Sequence, residues 1–384
     1  MNNKYISPLK ESSVGIITMH YADNFGSVLQ AYALQETLKK FGYSPEFINF
    51  IIEDEFEAHN YKIQPIKRLN KFGFIKGTRR ILSRIYRYNH NLKRKKLFNE
   101  FRKKYLIINP TLIIGDKNIK KQLQYYDILV TGSDQVWNPA FILPDGKAYL
   151  LNFGASNQKK YSYAASIAVE PLKMEQIDYS LISDFDGISI REEKQKNKLM
   201  ELTGRNDIQV NIDPTFLLEK NEWLNLAEYQ PMKRGYIFVY DLISTQELIR
   251  FANKLAKKFD LDIISFSNSK FYINHVLWIS ECSPNMFLGL LNNATYSITS
   301  SFHGVALSII LEKNFIAFPH PTRGSRITGL LKLTGLEDRL IYNSDDFEDF
   351  DLSDIDYSPI REIIKNEREK SYDYLKSFGE NRNK

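Results

Sequence analysis

Residues 14–52 read VGIITMHYADNFGSVLQAYALQETLKKFGYSPEFINFII, and this stretch decides the fold. The apolar run at residues 14–18 predicts a strand, and a polar loop follows it at residues 20–26. Over residues 27–41, apolar side chains recur on one helical face, which predicts a helix that ends before the next apolar run, 47–52. A strand, a loop, a helix and a strand in this order form a βαβ unit, the building block of a parallel sheet.

The same alternation continues along the chain. Residues 127–131 are almost continuously apolar, which is typical of a strand buried on both faces. A helix is predicted over residues 172–183, and a second series of strands and helices begins near Lys233. Residues 359–378 predict one long polar helix. The sequence therefore predicts an α/β protein in which two Rossmann-like domains face a cleft and the C-terminal helix crosses back.

We predict three parts along the chain. The first Rossmann-like domain spans residues 1–185 and carries a basic helical insertion at 62–105. The second spans 186–345, and a tail helix within 346–384 packs back on the first domain.

The charge of the chain is unevenly distributed. The whole sequence has a net charge of +6, yet 16 Lys or Arg residues and one acid, Glu100, lie between Lys62 and Lys104. The rest of the chain is consequently acidic. Such a basic segment can face anionic lipid or nucleic acid, or it can be a solvated helical surface. It contains no recognised RNA- or DNA-binding motif, so we do not expect a nucleic-acid partner.

Several classes of protein are excluded by what the sequence lacks. It has a single cysteine, Cys282, no apolar stretch long enough to span a membrane, and no secretory signal at its start. We therefore expect a cytoplasmic protein. It also has no Gly-rich dinucleotide fingerprint, no P-loop and no metal-binding motif, so neither a cofactor nor a metal is expected.

The candidate site follows from the fold, because ligands of parallel α/β sheets bind at the carboxyl ends of the strands. The polar residues predicted at these ends are His20, Asp23, Asn24, Gly26, Ser133, Asp134, Gln135, Asn138, Arg191, Ser300, Ser301, His303, His320, Arg323 and Arg326.

The sharpest motif is the run Thr299-Ser-Ser-Phe-His-Gly304 at a predicted helix start. Unpaired amides and the positive end of the helix dipole favour an anion there. His303 would add a group that donates or accepts a proton near neutral pH. The alternative is a helix cap beside a hydrogen-bonded structural histidine.

Two further features have competing interpretations. Residues 132–139 place Ser, Asp, Gln and Asn around Trp137, which suits a sugar ring, although a turn with a core tryptophan is the alternative. Arg191 ends an apolar strand, where its guanidinium can bind a carboxylate or phosphate; the alternative is an ion pair with Glu192 or Glu193. Asp213, which precedes Pro214, is interpreted as a turn residue.

Taken in order, these motifs resemble those of the polysaccharide pyruvyl transferase family, from about Val14 to Ile341. The matching pieces are Gly15-Ile-Ile-Thr18, Asn24-Phe-Gly-Ser-Val-Leu-Gln-Ala-Tyr-Ala-Leu34, Gly132-Ser-Asp-Gln-Val-Trp-Asn138, Ser189-Ile-Arg-Glu-Glu193, Asp213-Pro-Thr215 and Ser300-Ser-Phe-His-Gly304. The basic segment is not among them. In some members an arginine stands two residues before the histidine, where this chain has Ser301.

The resemblance implies a glycosyltransferase-B-like fold and transfer of pyruvate from phosphoenolpyruvate onto two hydroxyls of one sugar, giving a cyclic ketal. The second domain would hold the donor through Ser300, Ser301, Arg191 and His303, and we add Arg323 and Arg326 from their position at the strand ends, not from the resemblance. The first would hold the acceptor through His20, Asn24, Ser133, Asp134, Gln135, Trp137 and Asn138.

His303 would act as general acid or as a cation on the departing phosphate, Arg191 would bind donor carboxylate or phosphate, and Asp134 would be a base. A saccharide carried on polyprenyl diphosphate would bring the enzyme to an anionic membrane surface, which the basic segment 62–104 could contact. The competing hypothesis is a glycosyltransferase of the same fold that uses a nucleotide sugar.

Overall fold

The computed structural model describes residues 12–53, 55–56, 92–119, 126–155, 157–243, 245–266, 276–279, 281–319 and 324–379. Its strands are β1 Ser13–Ile17, β2 Ser44–Phe47, β3 Phe50–Ile51, β4 Ile113–Ile114, β5 Ile128–Thr131, β6 Lys159–Ser162, β7 Ser189–Ile190, β8 Gln209–Val210, β9 Tyr236–Tyr240, β10 Asp262–Ser265, β11 Val276–Trp278, β12 Tyr296–Thr299 and β13 Phe315–Ala317.

The α-helices are α1 Phe25–Lys40, α2 92–105, α3 Asp116–Ile119, α4 Pro139–Asp145, α5 Glu193–Thr203, α6 Lys220–Leu226, α7 Gln246–Phe259, α8 Pro284–Asn293, α9 Phe302–Ile310, α10 Ser325–Thr334 and α11 Ser358–Lys376. Residues 62–91, which are most of the predicted basic insertion, lie outside the described residues, whereas its last part forms α2.

The first sheet is parallel and has the strand order β2-β1-β5-β6. Its central pair, β1 and β5, aligns Val14 with Ile128 and Ile16 with Val130. These four side chains are fully buried because helices or loops cover both faces, as the apolar pattern of the strands requires.

The second sheet is also parallel and has the order β11-β10-β9-β12-β13. All five residues of β9 are buried, and α7 packs its apolar face, which includes Leu248 and Leu255, against the sheet. Two parallel sheets with helices on their faces confirm the predicted α/β class.

Residues around β7 and β8 contact the first sheet. The amide of Arg191 donates to Ala165 O, and Leu199 of α5 lies in the same apolar cluster as Trp137. The next sheet begins only at Tyr236. The boundary predicted after residue 185 stays a prediction, and these contacts favour a division nearer residue 230.

Helix α11 returns from the second half to the first. Its Tyr374 hydroxyl donates to Ser162 O at 2.8 Å, and Leu375 and Phe378 are buried against β1 and β5. Tyr43 donates to Phe378 O at 2.8 Å from the other side. The predicted crossing of the C-terminal helix is therefore confirmed. Within the described part of the chain, no helix is long and apolar enough to cross a membrane.

An aromatic cluster joins the two halves. Phe25, at the start of α1, stacks on Phe287 of α8 with ring centroids 4.2 Å apart, and Tyr240 and Phe266 pack edge-on against the Phe25 ring. Phe98 of α2 covers it from the other side. Replacing one such buried ring by alanine lowers the free energy of unfolding by about 3–5 kcal/mol. Because its rings come from both halves, the cluster stabilises the arrangement in which the carboxyl ends of the two sheets meet.

Candidate active site

Five chain segments meet where the two sheets turn their carboxyl ends toward each other. They are the start of α1 after β1, the loop 132–138 after β5, Arg191 after β7, Asp213 after β8, and the start of α9 after β12. The structure therefore brings together most of the residues that the strand-end rule selected.

Asp213 is the centre of this group. Its Oδ2 accepts a hydrogen bond from Arg191 Nη1 at 2.5 Å, and His303 Nε2 lies 3.4 Å from the same oxygen. Ser133 Oγ is 3.5 Å away. Oδ1 accepts from the amide and hydroxyl of Thr215, at 3.0 and 2.8 Å. One buried carboxylate thus joins Arg191 of the first half to His303 of the second.

These contacts keep Asp213 and Arg191 charged. Burial by itself raises the pKa of a carboxyl, but the interactions with His303 and Arg191 outweigh it, so the pKa of Asp213 lies well below its usual range. Burial opposes the charge of Arg191 as well, and the carboxylates of Asp213 and Glu192 overcome that effect and raise its pKa.

Two of the three guanidinium nitrogens of Arg191 donate no hydrogen bond to the described residues. Its guanidinium carbon lies 4.4 Å from the centre of the Phe302 ring, and its side chain is 4% exposed. Nη1 is taken by Asp213, whereas Nε and Nη2 have no hydrogen-bond partner among the described residues. Glu192 Oε1 is 3.5 Å from Nε. These two nitrogens form one edge of the planar group, the edge that binds a carboxylate or phosphate in fork geometry.

His303 is enclosed at the start of α9. Its Nε2 faces Asp213, and its Nδ1 side lies against Gly26 of α1, where an added Cβ would come within 2.1 Å. Ser301 caps the helix by accepting from the Gly304 amide at 3.4 Å. The amides of Phe302 and His303 have no partner in the described part of the chain, so the predicted helix start lies beside the histidine with two donors that an anion could use.

Asp134 lies in the same group. Its backbone has φ of 72°, a left-handed conformation that Asp tolerates better than most residues. Ser27 Oγ donates to Oδ2 at 2.6 Å, and the Gln135 amide donates to Oδ1 at 2.9 Å. Burial by itself raises the pKa of Asp134, but the charges of His303 and Arg191 lower it by a larger amount. The pKa therefore lies below its usual range, and the carboxyl is ionised.

Ser300 has another partner. Its hydroxyl donates to Asp241 Oδ1 at 2.8 Å and accepts from the Leu242 amide at 3.0 Å. The side chain is thus committed to the end of β9, beside a carboxylate that would repel a phosphate. In this structure, Ser300 shapes the loop before α9, and its hydroxyl is not available to an anion.

Two candidates from the sequence are core residues. Trp137 is 0% exposed, donates its indole N–H to Tyr149 O and packs on Tyr179. His20 is buried, hydrogen-bonds Thr18 O through Nδ1 and stacks on Phe47. Neither ring offers a face to a sugar, so the alternative of a core tryptophan describes Trp137 better.

The remaining candidates have local roles near the site. Asn24 caps α1, and the Tyr240 ring of β9 packs edge-on against Phe25 of α1 across the two halves. Asn138 caps α4 and donates to Gln135 Oε1 at 3.0 Å. Arg326 lies 6.0 Å from the Phe302 ring, close enough to lower the pKa of Asp134. His320 and Arg323 lie outside the described residues.

Four residues of the site were not singled out from the sequence: Asp213 as more than a turn residue, Ser27, Tyr240 and Phe302. The strand-end rule could have found Asp213, since it follows β8. The other three are identified only by contacts between distant segments.

Comparisons with known proteins agree with this architecture. S. aureus MnaA, in a structure with UDP, has a TM-score of 0.50 at 10% identity, covering 96% of this chain and 91% of that one. UDP-GlcNAc 2-epimerase from Neisseria meningitidis bound to UDP-GlcNAc gives 0.47 at 10% identity over 95% and 93%. An α-glucosyltransferase in complex with UDP and DNA gives 0.48 at 12% identity over 95% of both chains.

The similarity to MnaA concerns the fold alone, which is of the glycosyltransferase-B type, with two parallel α/β sheets. The class of protein follows from the sequence, which matches a family model of transferases that act on polysaccharides. The family model for polysaccharide pyruvyl transferase matches residues 24–321, and the chain belongs to this family. No curated protein matches the sequence.

Proposed function

We propose that this pyruvyltransferase takes its pyruvyl group from phosphoenolpyruvate and joins it to two hydroxyls of one sugar as a cyclic ketal. The observation that carries the proposal is the Nε–Nη2 edge of Arg191, which is buried beside His303 and the start of α9, has no hydrogen-bond partner among the described residues, and has only the ion pair of Nε with Glu192 at 3.5 Å. Buried guanidinium nitrogens that donate no hydrogen bond are costly unless a ligand accepts from them, and a carboxylate or phosphate fits this edge.

The reaction must balance at C2 and C3 of the donor. Two sugar oxygens form bonds to C2, the bond from C2 to the phosphate oxygen breaks, and C3 gains a proton to become a methyl group. The two hydroxyls lose two protons. One of them balances the proton that C3 gains, and the other leaves with the phosphate. The site must therefore stabilise a departing phosphate, deliver a proton to C3 and accept protons from hydroxyls.

On the donor side, Arg191 binds the carboxylate or phosphate through Nε and Nη2. His303 acts as general acid or as a cation on the departing phosphate, and the free amides at the start of α9 stabilise that anion. Ser301 contributes as the cap of the helix. Arg326, and Arg323 beyond the described residues, supply further positive charge.

On the acceptor side, the sugar lies against Asn24 and the loop of residues 133–138, without a contact to the Trp137 face. Asp134 accepts the hydrogen of an attacking hydroxyl. Its lowered pKa makes it a weak base as long as no donor is bound at His303 and Arg191. A bound anionic donor offsets those positive charges, so the carboxylate becomes a stronger base once the donor is in place.

The acceptor is proposed to be a lipid-linked saccharide. In the described part of the basic segment, the exposed lysines of α2, such as Lys96 and Lys103, can contact anionic lipid, whereas Arg102 is held by Asp23 at 2.6 Å. Each exposed cation near an anionic surface contributes about 1 kcal/mol, so the complete segment would retain the enzyme near its substrate.

A donor and acceptor screen tests the proposal. The purified full chain is incubated with phosphoenolpyruvate and a panel of free and polyprenyl-linked saccharides. Phosphate release and the mass gain of one pyruvyl ketal are measured, with His303→Ala as the comparison. We expect acceptor-dependent release by the wild type and none by the variant, whose circular dichroism should match the wild type.

Two results would contradict the proposal. Phosphate release by His303→Ala at the wild-type rate would remove His303 from the chemistry. Nucleotide release from a sugar nucleotide, with no reaction of phosphoenolpyruvate, would favour a glycosyltransferase of the same fold.

A further inference from the structure

Asp213 is fully buried, and no substrate role has been assigned to it above. Its Oδ1 is used by the backbone and hydroxyl of Thr215, at the start of the 3₁₀ segment Pro214–Leu217. This local pairing fixes the side-chain rotamer of the aspartate and leaves Oδ2 pointing at the two cationic groups of the site.

At Oδ2 the contacts are unequal. Arg191 Nη1 is 2.5 Å away, a strong charge-assisted hydrogen bond, whereas His303 Nε2 at 3.4 Å is beyond an ordinary one. The guanidinium carbon also lies over Phe302 of α9, 4.4 Å from its ring centre. Arg191 is therefore contacted from both halves of the chain, by Asp213 and Glu192 from one and by Phe302 from the other, and its Nε–Nη2 edge is set relative to His303.

We propose that Asp213 is the positioning residue of the reaction: its Oδ2 holds Arg191 by a hydrogen bond and faces His303 at ion-pair distance, and it thereby sets these two residues, which come from opposite halves, at the separation that the donor requires. This inference rests on the proposed function, because it assumes that Arg191 and His303 act on one donor molecule. Asp213 works through these two residues and does not touch the donor, since both of its oxygens are occupied.

The charges of the site agree with such a role. A buried carboxylate is costly unless it is paired, and replacing it by an amide leaves Arg191 with a weaker partner of the same shape. The guanidinium can then rotate on the Phe302 ring, and its Nε–Nη2 edge moves away from His303. A displacement of about 1 Å at a reacting centre lowers the rate by about 10²-fold.

The test compares Asp213→Asn with the wild type in phosphoenolpyruvate turnover. We expect kcat/KM for phosphoenolpyruvate to fall about 100-fold, with a rise in KM as well as a fall in kcat, because binding and chemistry both use the aligned pair. The control is Asp116→Asn. Asp116 accepts hydrogen bonds from the amides of Lys147 and Ala148, so its replacement affects stability without reaching the site.

A double-mutant cycle separates positioning from general structural support. If Asp213 acts through Arg191, then Arg191→Ala combined with Asp213→Asn loses much less than the sum of the two single effects on kcat/KM. Additive losses would overturn the proposal. If Asp213→Asn fails to fold, the variant Thr215→Val is measured instead. This variant removes the 2.8 Å hydrogen bond from the Thr215 hydroxyl to Asp213 Oδ1 and should also lower kcat/KM. Unchanged kinetics of Thr215→Val would overturn the proposal.

The outcomes also distinguish this inference from the proposed function. A wild type that turns over phosphoenolpyruvate alongside an equally active Asp213→Asn overturns the positioning role alone. A wild type that leaves phosphoenolpyruvate unchanged with every acceptor overturns the proposed function, and the inference falls with it.

Discussion

Gly26 and His303 touch across the two halves of the molecule: a Cβ built on Gly26 would lie 2.1 Å from His303 Nδ1 and 2.3 Å from Cγ of the ring. Gly26 is the second residue of α1, and His303 is the second residue of α9. The position of the imidazole therefore depends on the first half of the chain as well as on its own helix.

We expect Gly26→Ala to lower kcat by about 100-fold, because the methyl group must displace His303 or separate the two helix starts. Overpacking should also cost about 1–3 kcal/mol of unfolding free energy. Steady-state phosphate release and chemical denaturation measure the two effects. Gly329→Ala in α10 is the matched control: nothing lies within 4 Å of its added Cβ, so activity should be unchanged. Full activity of Gly26→Ala would show that the contact is not needed.

For Arg191→Lys, we expect the KM for phosphoenolpyruvate to rise at least about tenfold, since lysine keeps the charge but cannot offer the Nε–Nη2 fork. Lysine is a sharper test than alanine, because alanine leaves the carboxylate of Asp213 buried and unpaired. Initial rates at saturating acceptor give the KM.

Arg205→Lys is the matched control for Arg191→Lys. Arg205 is paired with Asp207 and donates to Ser183 O, and neither partner belongs to the site. An unchanged KM in Arg191→Lys, or an equal rise in both variants, would contradict the assignment of Arg191 to the donor.

Much of the fold could be predicted because hydrophobic periodicity reports burial directly. The pattern of residues 14–52 predicted the first strand and the helix, which starts at Phe25 rather than Ser27. The second strand, predicted over 47–52, is divided in the structure into β2 Ser44–Phe47, which pairs with β1, and β3 Phe50–Ile51, which pairs with β4. The helix predicted over 172–183 is wrong: the structure has two short 3₁₀ segments, Pro171–Gln176 and Tyr179–Ile182. Asp178 caps the second segment and so divides a run that periodicity alone cannot divide.

The site was predictable as a set of loops, but not as a set of contacts. Asp213 does form the predicted turn, through its Oδ1, yet its other oxygen meets side chains from both halves, which a local pattern does not reveal. The polar residues around Trp137 in the sequence favoured the prediction that its ring binds a sugar. Its indole N–H reaches Tyr149 O within the first core, and this tertiary contact decided its burial.

The basic segment predicts binding to anionic vesicles. We expect the wild type to sediment with phosphatidylserine-containing vesicles at low salt and to be released at high salt, because the attraction is screened. Replacing both Lys96 and Lys103 by Glu should weaken sedimentation, since both lysines are exposed.

Arg102→Met is the control for vesicle binding. Its side chain is 9% exposed and paired with Asp23, so its loss should lower stability and leave vesicle binding nearly unchanged. Absence of sedimentation at both salt concentrations would refute membrane contact and favour a solvated helical surface.

The last prediction concerns pH and His20. Burial, together with the charge of Arg102, lowers the pKa of His20 to about 4, although its hydrogen bond to Thr18 O acts in the opposite direction. In the unfolded chain the value is about 6.5. Between these values the unfolded state binds more protons than the folded state, so stability is highest above pH 6.5 and falls as the pH drops toward 4.

The expected slope of that loss is about 1.4 kcal/mol per pH unit for this one group. Urea denaturation of the wild type and His20→Gln at several pH values between 7 and 4 measures it. Glutamine keeps a polar side chain and does not titrate, so the stability of the variant should fall less steeply, while all other groups contribute equally to both proteins. Parallel curves would mean that His20 gains its proton as readily in the folded state as in the unfolded one, which would contradict its burial between Thr18 and Phe47.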